Sequence, residues 1–301
     1  MFFARPPITL PHQYWYDWFG GNNTHLLKTK LFNQNFSQEP PNSFLNVAAT
    51  KANPLILLRN KFFNDKSMQR FRANSGREKL SDMQLSLLEQ IECRSAIRVG
   101  TVGDGGKWIC SPWLLRNNCV VFSLGIQDEV SFERELGEIL FGRCRIFGFD
   151  HTSSPSVYNS VKNSVFLPYK IGAVTSKQQG THSIVDIMSE LNVNYIDILK
   201  IDIEGAEVEA IPAFLTHHLS RNRHIACQIL IEIHGWPQLY PEWYDTLKLL
   251  ETTGYAIFKK EVNPTDASCI ELAYIHWGCA ANDYNLDIPP YLLNFEPSTV
   301  T

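Results

Sequence analysis

The sequence lacks an excess of positive charge. Its 27 Lys and Arg residues are outnumbered by 31 Asp and Glu residues, which gives a formal net charge of −4 at pH 7. This balance excludes the basic surface that binders of nucleic acids or anionic membranes carry. We therefore expect a small or neutral molecule as the partner, and no nucleic acid.

The sequence also lacks a long apolar run. No stretch of 18 apolar residues occurs, and the first residues, MFFARPPITLPHQYW, do not join a basic segment to a sustained apolar one. The pattern predicts a soluble chain with no membrane segment, cytoplasmic by default. The secretory pathway stays open as an alternative if an N-terminal anchor is missing.

Cysteine motifs are missing as well. The seven cysteines, at positions 93, 110, 119, 144, 227, 269 and 279, form no CxxC pair and no Cys/His cluster at zinc spacing. An odd number spread through apolar segments predicts buried thiols in a reducing compartment. In an oxidising compartment, Cys110 with Cys119 or Cys269 with Cys279 are the alternative pairs.

Composition divides the chain into three parts. Residues 1–78 are rich in Asn, Gln, Pro and aromatic residues and have no sustained period, which predicts an irregular N-terminal extension. Residues 79–281 are expected to form the main domain, and residues 282–301 a C-terminal tail. Apolar residues at helical spacing predict a helix over residues 80–91.

Strands and helices alternate along the main domain. AIRVGTVGDGGKWIC predicts a hairpin that turns at Asp104-Gly105 and forms a flap over a cleft. Strands are then predicted at 119–125, 144–150, 164–173, 195–204 and 228–234, and helices at 129–141, 182–192, 207–219 (interrupted by Pro212) and 242–254. YAIFKKEVN and SCIELAYIHW end the domain as an antiparallel pair. The alternation predicts an α/β fold with a doubly wound, Rossmann-like and mostly parallel sheet.

The turn after the first parallel strand carries a single glycine, Gly125. The next strand ends at Asp150, a separation close to the roughly 20 residues between a glycine turn and an acid that binds ribose. Together they indicate an adenosine-containing ligand. A redox dinucleotide needs G-x-G-x-x-G around its pyrophosphate, and this motif is absent. S-adenosylmethionine, which has no phosphate, fits better.

The most strand-like segment, DILKIDIEGAE, carries charge on alternate positions. Lys200, Asp202 and Glu204 point to one face, since side chains in a strand alternate with a period of two. Burial of unpaired charge costs several kcal/mol. We therefore expect these residues to be paired, or to face a cleft at the end of the strand.

Four motifs in order resemble the FkbM-type and methyltransferase-like family of class I methyltransferases. They are IRVGTVGDGGKWIC, CVVFSLGIQDEVSFERELGE, RIFGFDHT and LKIDIEGAE. The resemblance covers roughly residues 80–280. It implies seven strands in the order 3-2-1-4-5-7-6, with an antiparallel last hairpin, and S-adenosyl-L-methionine as the cofactor.

The resemblance also implies the roles of individual residues. Leu124, Gly125 and Ile126 would lie under the methionine end of the cofactor, and Asp150 would bind the ribose. Lys200, Asp202 and Glu204 would line the cleft beside the sulfonium. This sequence departs from the family at the glycine turn, where Ile126-Gln127-Asp128 follows in place of a second glycine.

Adjacent strands bring candidate catalytic residues together. Methyl transfer to oxygen needs a base for the hydroxyl proton, and His234 is the first candidate, with Glu232 or Asp202 orienting it. His234-Gly235 as a plain turn, Lys200 as a structural counter-ion, and Mg²⁺ bound by the carboxylates are the alternatives.

The sequence favours an O-methyltransferase that acts on a hydroxyl of a small molecule or glycan. A catalytically silent methyltransferase fold that binds partners through its N-terminal extension is the second hypothesis. The charge kept at Asp202, Glu204, Glu232 and His234 argues against it. A nucleotide-linked oxidoreductase is the third, weakened by the missing glycines.

Overall fold

The structure is a computed structural model that describes residues 87–220, 225–236, 239–263, 266 and 268–286. The predicted extension (1–78) and most of the predicted tail lie outside the described residues. Within them, no helix is both long enough and apolar enough to cross a membrane.

Eleven strands and five α-helices follow one another along the described chain. The strands are β1 (Ala96–Val99), β2 (Lys107–Cys110), β3 (Val120–Leu124), β4 (Arg145–Phe149), β5 (Ser164–Leu167), β6 (Lys170–Ile171), β7 (Thr181–His182), β8 (Ile196–Ile201), β9 (Ala226–His234), β10 (Tyr255–Val262) and β11 (Cys269–His276). The helices are α1 (Ser131–Ile139), α2 (Ile184–Glu190), α3 (Glu207–Ser220), α4 (Tyr240–Thr252) and α5 (Trp277–Asn282).

Seven of the strands form the central sheet, in the order β10-β11-β9-β8-β3-β4-β5. The five strands from β9 to β5 are parallel, while β11 pairs antiparallel with both β9 and β10. Read from β5, this is the order 3-2-1-4-5-7-6 that the resemblance implied. The strand order reverses between β3 and β8, so the crevice at their carboxyl ends is where such a sheet binds its ligand.

Apolar side chains cover both faces of the sheet. All nine residues of β9 and all five of β3 are buried, which explains their nearly continuous apolar sequence. Phe122 and Leu124 pack with α2, α3 and α4 on one face, whereas Val121 packs with α1, α5 and the β1–β2 hairpin on the other. Two hydrophobic cores therefore hold one sheet between two layers.

The predicted hairpin is confirmed, with a longer turn than expected. β1 and β2 pair antiparallel around residues 100–106. Although the hairpin is not part of the central sheet, the side chain of Gln228 in β9 accepts from the backbone N–H of Cys110 at 2.9 Å and donates to its carbonyl at 3.0 Å. This side chain acts like a strand partner and fixes the hairpin against the sheet.

Three local predictions were wrong. The strand expected over residues 164–173 is two strands, of which β5 belongs to the central sheet and β6 pairs with β7 outside it. Residues 87–91, expected at the end of a helix, are not helical, and the backbone N–H groups of Gln90 and Ile91 donate to the carbonyl of Ile257 at 2.7 and 3.2 Å. Pairing with the edge of β10 overrides the helical spacing. Helix α3 is not interrupted at Pro212 but continues through it, at the cost of one backbone hydrogen bond.

The cysteine prediction was also wrong. Six of the seven cysteines are paired in three disulfides, and Cys269 is the free, buried thiol. The pairs are Cys93–Cys110, Cys119–Cys144 and Cys227–Cys279. Cys119 and Cys144 precede β3 and β4, whose parallel pairing brings the two starts together with a Cα–Cα distance of 4.3 Å. Spacing along the sequence could not reveal this pairing.

Candidate functional site

A cleft of about 230 Å³ opens at the carboxyl ends of the central strands. The turns after β3, β8 and β9 form its walls, and the β1–β2 turn covers it with Asp104 and Gly105. The cleft therefore lies at the reversal of strand order, where the topology places a ligand.

The structure brings most of the predicted site residues into this cleft. The lining includes Gly125, Ile126, Lys200, Asp202, Glu204, Glu232 and His234. Two predicted residues lie elsewhere. Leu124 is fully buried in the core, and Asp150 lies beneath the turn that follows β3.

Gly125 permits the closest approach between the walls of the cleft. Its φ is +76°, and a Cβ at this position would lie 1.5 Å from the carbonyl oxygen of Asp202. The backbone N–H of Asp202 donates to the carbonyl of Leu124 at 2.9 Å. Only glycine allows β3 and the residue after β8 to meet in this way.

Asp150 is bound to the protein's own backbone. One carboxylate oxygen accepts from the N–H groups of Ile126 and Gln127 at 2.8 and 3.0 Å. The other accepts from the N–H and hydroxyl of Thr152 and from the N–H of Ser153. These five donors exceed the roughly four lone-pair sites that a carboxylate offers, so the side chain is fully occupied by the protein. The contact with ribose stays a prediction, and the contacts described here form a clamp on the glycine turn.

The pKa of Asp150 reflects these contacts. Burial alone would raise it, because the side chain is 6% exposed. Hydrogen bonds from Gln127, Ile126 and Thr152 favour the carboxylate more strongly and hold the pKa well below its ordinary value. Asp150 is therefore charged at any physiological pH.

The turn after β8 presents Glu204 to the cleft. Glu204 has a φ of +55°, and the following Gly205 carries the ring of Trp236 against it. The Glu204 side chain is half exposed and accepts a hydrogen bond from the amide of Gln127. It lies 3.4 Å from Nε2 of His234. A left-handed residue here directs a carboxylate back across the cleft.

Three carboxylates surround His234. Its Nε2 is 3.4 Å from Glu204 and 3.9 Å from Asp202, and its Nδ1 is 3.4 Å from Glu207 in the first turn of α3. Burial alone would lower the pKa of His234, but Glu207 and the other two carboxylates raise it to about 9. The ring is therefore an imidazolium at neutral pH. A base has to be neutral, so His234 must lose this proton before it can serve as one.

Lys107 in β2 was missed by the sequence analysis. Its side chain is 1% exposed, and its Nζ lies 2.6 Å from Glu271, 2.9 Å from Glu232 and 3.2 Å from Asp202. Glu271 and Glu232 are directly opposite each other in the β9–β11 register. One glutamate inside each of two buried strands was the signal for a buried cation, but the sequence did not show that the two strands are neighbours.

The prediction that Lys200 is a counter-ion is confirmed by its contacts. Its buried Nζ donates to the carbonyl of Gly125 at 2.9 Å and lies 3.7 Å from Glu133 in α1. Ser123 also donates to Glu133. This group supports the glycine turn from behind.

Some groups of side chains in the described chain could hold a metal ion. In one, ligand atoms of Asp202, Glu207 and His234 lie within 4.8 Å of one another, and in another those of Asp104, Asp202 and Glu232 do so. Lys107 already bonds to two members of the second group.

Comparisons with known proteins identify the family of this chain. A family model described as a methyltransferase domain matches residues 44–276, a range that begins within the predicted extension. A search of curated proteins found no match.

Three of the similar solved structures are two fibrillarins and a methyltransferase. The fibrillarin pre-rRNA processing protein of Methanococcus jannaschii is 9% identical, with a TM-score of 0.37 over 54% of this chain and 67% of that one. Aeropyrum pernix fibrillarin, solved with natively bound S-adenosyl-L-methionine, is 16% identical with a TM-score of 0.37, over 54% and 68% of the two chains. Methyltransferase FkbM from Methylobacillus flagellatus is 15% identical with a TM-score of 0.37, over 53% and 45%.

The family match covers well over half of the 301 residues and includes every strand of the cleft. The chain therefore belongs to this methyltransferase-domain family and is an S-adenosyl-L-methionine-dependent methyltransferase.

Proposed function

We propose that this protein transfers a methyl group to a hydroxyl of a small molecule or a glycan. The observation that carries the proposal is His234, held among Asp202, Glu204 and Glu207 at the reversal of strand order. A histidine in this position can take the proton that a hydroxyl must lose on methylation.

The residues of the cleft fit the cofactor. S-adenosyl-L-methionine supplies a methyl group on a positively charged sulfur. The Gly125–Gln127 turn and the carboxylates of Asp202 and Glu204 would hold it, because acidic side chains favour a cation and a glycine turn allows close approach of the backbone. The cleft, at about 230 Å³, is smaller than the roughly 300–1,000 Å³ of typical ligand pockets, so it would take the reacting ends of cofactor and acceptor and not either molecule whole.

The charge of His234 depends on what enters the cleft. Its pKa is raised to about 9 because Glu207, Asp202 and Glu204 stabilise the imidazolium. A cation bound beside Asp202 and Glu204 offsets this stabilisation, so the pKa of His234 falls toward neutrality. His234 then accepts the hydroxyl proton, and Asp202 and Glu204 orient the ring.

Calorimetric titration with S-adenosyl-L-methionine, S-adenosylhomocysteine and NAD tests the cofactor assignment. We expect binding of the first two and none of NAD. Incubation with methyl-labelled cofactor and a panel of hydroxylated small molecules and glycans then tests the reaction. His234→Gln should lose turnover without weakening cofactor binding, since the imidazolium it removes opposes a bound cation, and Lys177→Met, an exposed residue, is the control. A His234→Gln protein with full turnover would remove His234 from the mechanism.

Maturation in an oxidising compartment is part of the proposal. Three disulfides among seven cysteines are typical of secretory proteins and rare in the cytosol. Peptide mapping of the protein from a secretory host, without reduction, should recover the three pairs and leave Cys269 unpaired. Seven free thiols in an active protein would contradict this assignment.

A further inference from the structure

The ammonium group of Lys107 lies at the meeting point of three strands. Its carboxylate partners are Asp202 after β8, Glu232 in β9 and Glu271 in β11, at 3.2, 2.9 and 2.6 Å. The lysine comes from the hairpin, which contributes no strand to the central sheet. The side chain of Lys107 therefore reaches from outside the central sheet to the region beneath the cleft.

Without this cation, the three carboxylates would repel one another. Burial raises the pKa of Glu271 well above its ordinary value, and Glu232 adds to the increase. Glu232 behaves differently: burial alone would raise its pKa, but Lys107 holds it well below the ordinary range. The cluster thus places one ammonium group among three acidic side chains, two of them buried. Removing a charge from such a buried group is costly because its partners remain buried.

The second oxygen of Asp202 connects this cluster to the cleft. Oδ2 bonds to Lys107, and Oδ1 lies 3.9 Å from Nε2 of His234. Lys107 therefore fixes the orientation of the carboxylate that faces the histidine. Asn263 donates to the second oxygen of Glu232 at 3.2 Å, so that this partner of the lysine is held in place as well.

We propose that Lys107 is a positioning residue for methyl transfer, which acts on His234 through Asp202. This inference rests on the proposed function, because it assigns His234 as the group that Lys107 serves. It also gives the hairpin a role: the hairpin carries the counter-charge that allows acidic residues to line the cleft.

The charge state of His234 is the property to measure. The titratable groups nearest to it are Asp202 and Glu204 after β8, Glu207 from α3, Glu232 from its own strand, Cys269 from β11 and, through Asp202, Lys107 from β2. Asp104, Lys200 and Asp266 line the same cleft. Without the positive charge of Lys107, less of the negative charge around His234 is neutralised. The proton on His234 is then held more tightly.

The experiment is an NMR titration of histidine-labelled full-length protein. The chain has nine histidines, and the signal of His234 is identified by its absence in His234→Gln. Lys107→Met should raise the midpoint of His234 by at most about one pH unit, because the lysine acts on it through Asp202 and is not a direct partner. Lys107→Arg should restore the wild-type midpoint, and Lys177→Met should not change it.

A purely structural role for Lys107 gives a different result. Lys107→Met would then lower the melting temperature but leave the midpoint of His234 unchanged, and this outcome overturns the proposal. Lys107→Gln keeps hydrogen-bond donors without the charge and replaces the methionine variant if that protein does not fold. If neither the methionine nor the glutamine variant folds, Lys107→Arg is the test. A His234 midpoint in Lys107→Arg that differs from the wild-type midpoint contradicts the proposal. Wild-type protein that fails to bind S-adenosyl-L-methionine refutes the proposed function, whereas an unchanged midpoint refutes only the role of Lys107.

Discussion

Replacement of Asp150 by alanine tests whether this residue first serves the protein's own turn. The change removes five hydrogen bonds, of which those from the N–H groups of Ile126 and Ser153 are buried. A buried donor left without a partner costs about 1–3 kcal/mol, so two of them predict a loss of about 2–6 kcal/mol in the free energy of unfolding. This is a large part of the roughly 5–15 kcal/mol that holds a domain folded.

The same variant has a pH signature. The pKa of Asp150 in the folded state is lowered, so its contribution to stability is complete above the unfolded value near 3.9 and is lost as the pH falls through the folded value. Denaturant unfolding should therefore separate Asp150→Ala from wild type at pH 7, and the difference should shrink below about pH 4. Asp104→Ala, which removes an exposed acid near the cleft, is the control.

A result that would refute this reasoning is easily recognised. If Asp150→Ala unfolds at the wild-type denaturant concentration and only its affinity for S-adenosyl-L-methionine falls, Asp150 serves the ribose and not the turn. If both properties fall together, the glycine turn and the cofactor site depend on the same carboxylate.

Two further predictions concern the cleft. His234→Gln should lower stability most below pH 6.5, because a raised pKa contributes fully below the unfolded value and is lost as the pH rises through about 9; thermal unfolding from pH 6 to 10 checks this, and a constant difference would contradict it. Gly125→Ala should destabilise the fold by about 3 kcal/mol or more, because its Cβ would meet the carbonyl of Asp202. Gly180→Ala, also at positive φ but in open space, is the matched control in denaturant unfolding; equal losses in the two variants would show that φ, and not the contact, decides.

The central sheet could be predicted from the sequence because its strands carry nearly continuous apolar runs. Segments such as CVVFSLG and QILIEIH leave little doubt about burial on both faces, and the helices between them fix the parallel direction. The residues at the strand ends followed from the same reasoning. Asp202, Glu204 and His234 meet because the carboxyl ends of neighbouring parallel strands meet.

Contacts between distant elements could not be predicted in this way. The three acidic partners of Lys107 lie 95, 125 and 164 positions further along the chain, and no local sequence pattern predicts partners at such distances. Residues 87–91 keep a helical spacing but bond to Ile257 instead, since tertiary hydrogen bonds outweigh a weak local preference. The Cys119–Cys144 disulfide follows from the pairing of β3 with β4 and not from spacing, and neither of the two alternative pairs, Cys110–Cys119 or Cys269–Cys279, is formed.

The pairing of residues 87–91 with β10 has a consequence for aggregation. β10 lies at the outer edge of the seven-stranded sheet, and unpaired carbonyls on an edge strand are templates for joining another chain. Gln90 and Ile91 occupy the carbonyl of Ile257, and Gln90 also accepts from its N–H at 2.9 Å. A recombinant protein that starts at residue 92 would present this open edge to solvent. A recombinant domain should therefore begin at or before residue 87, so that Gln90 and Ile91 are kept and cover the edge.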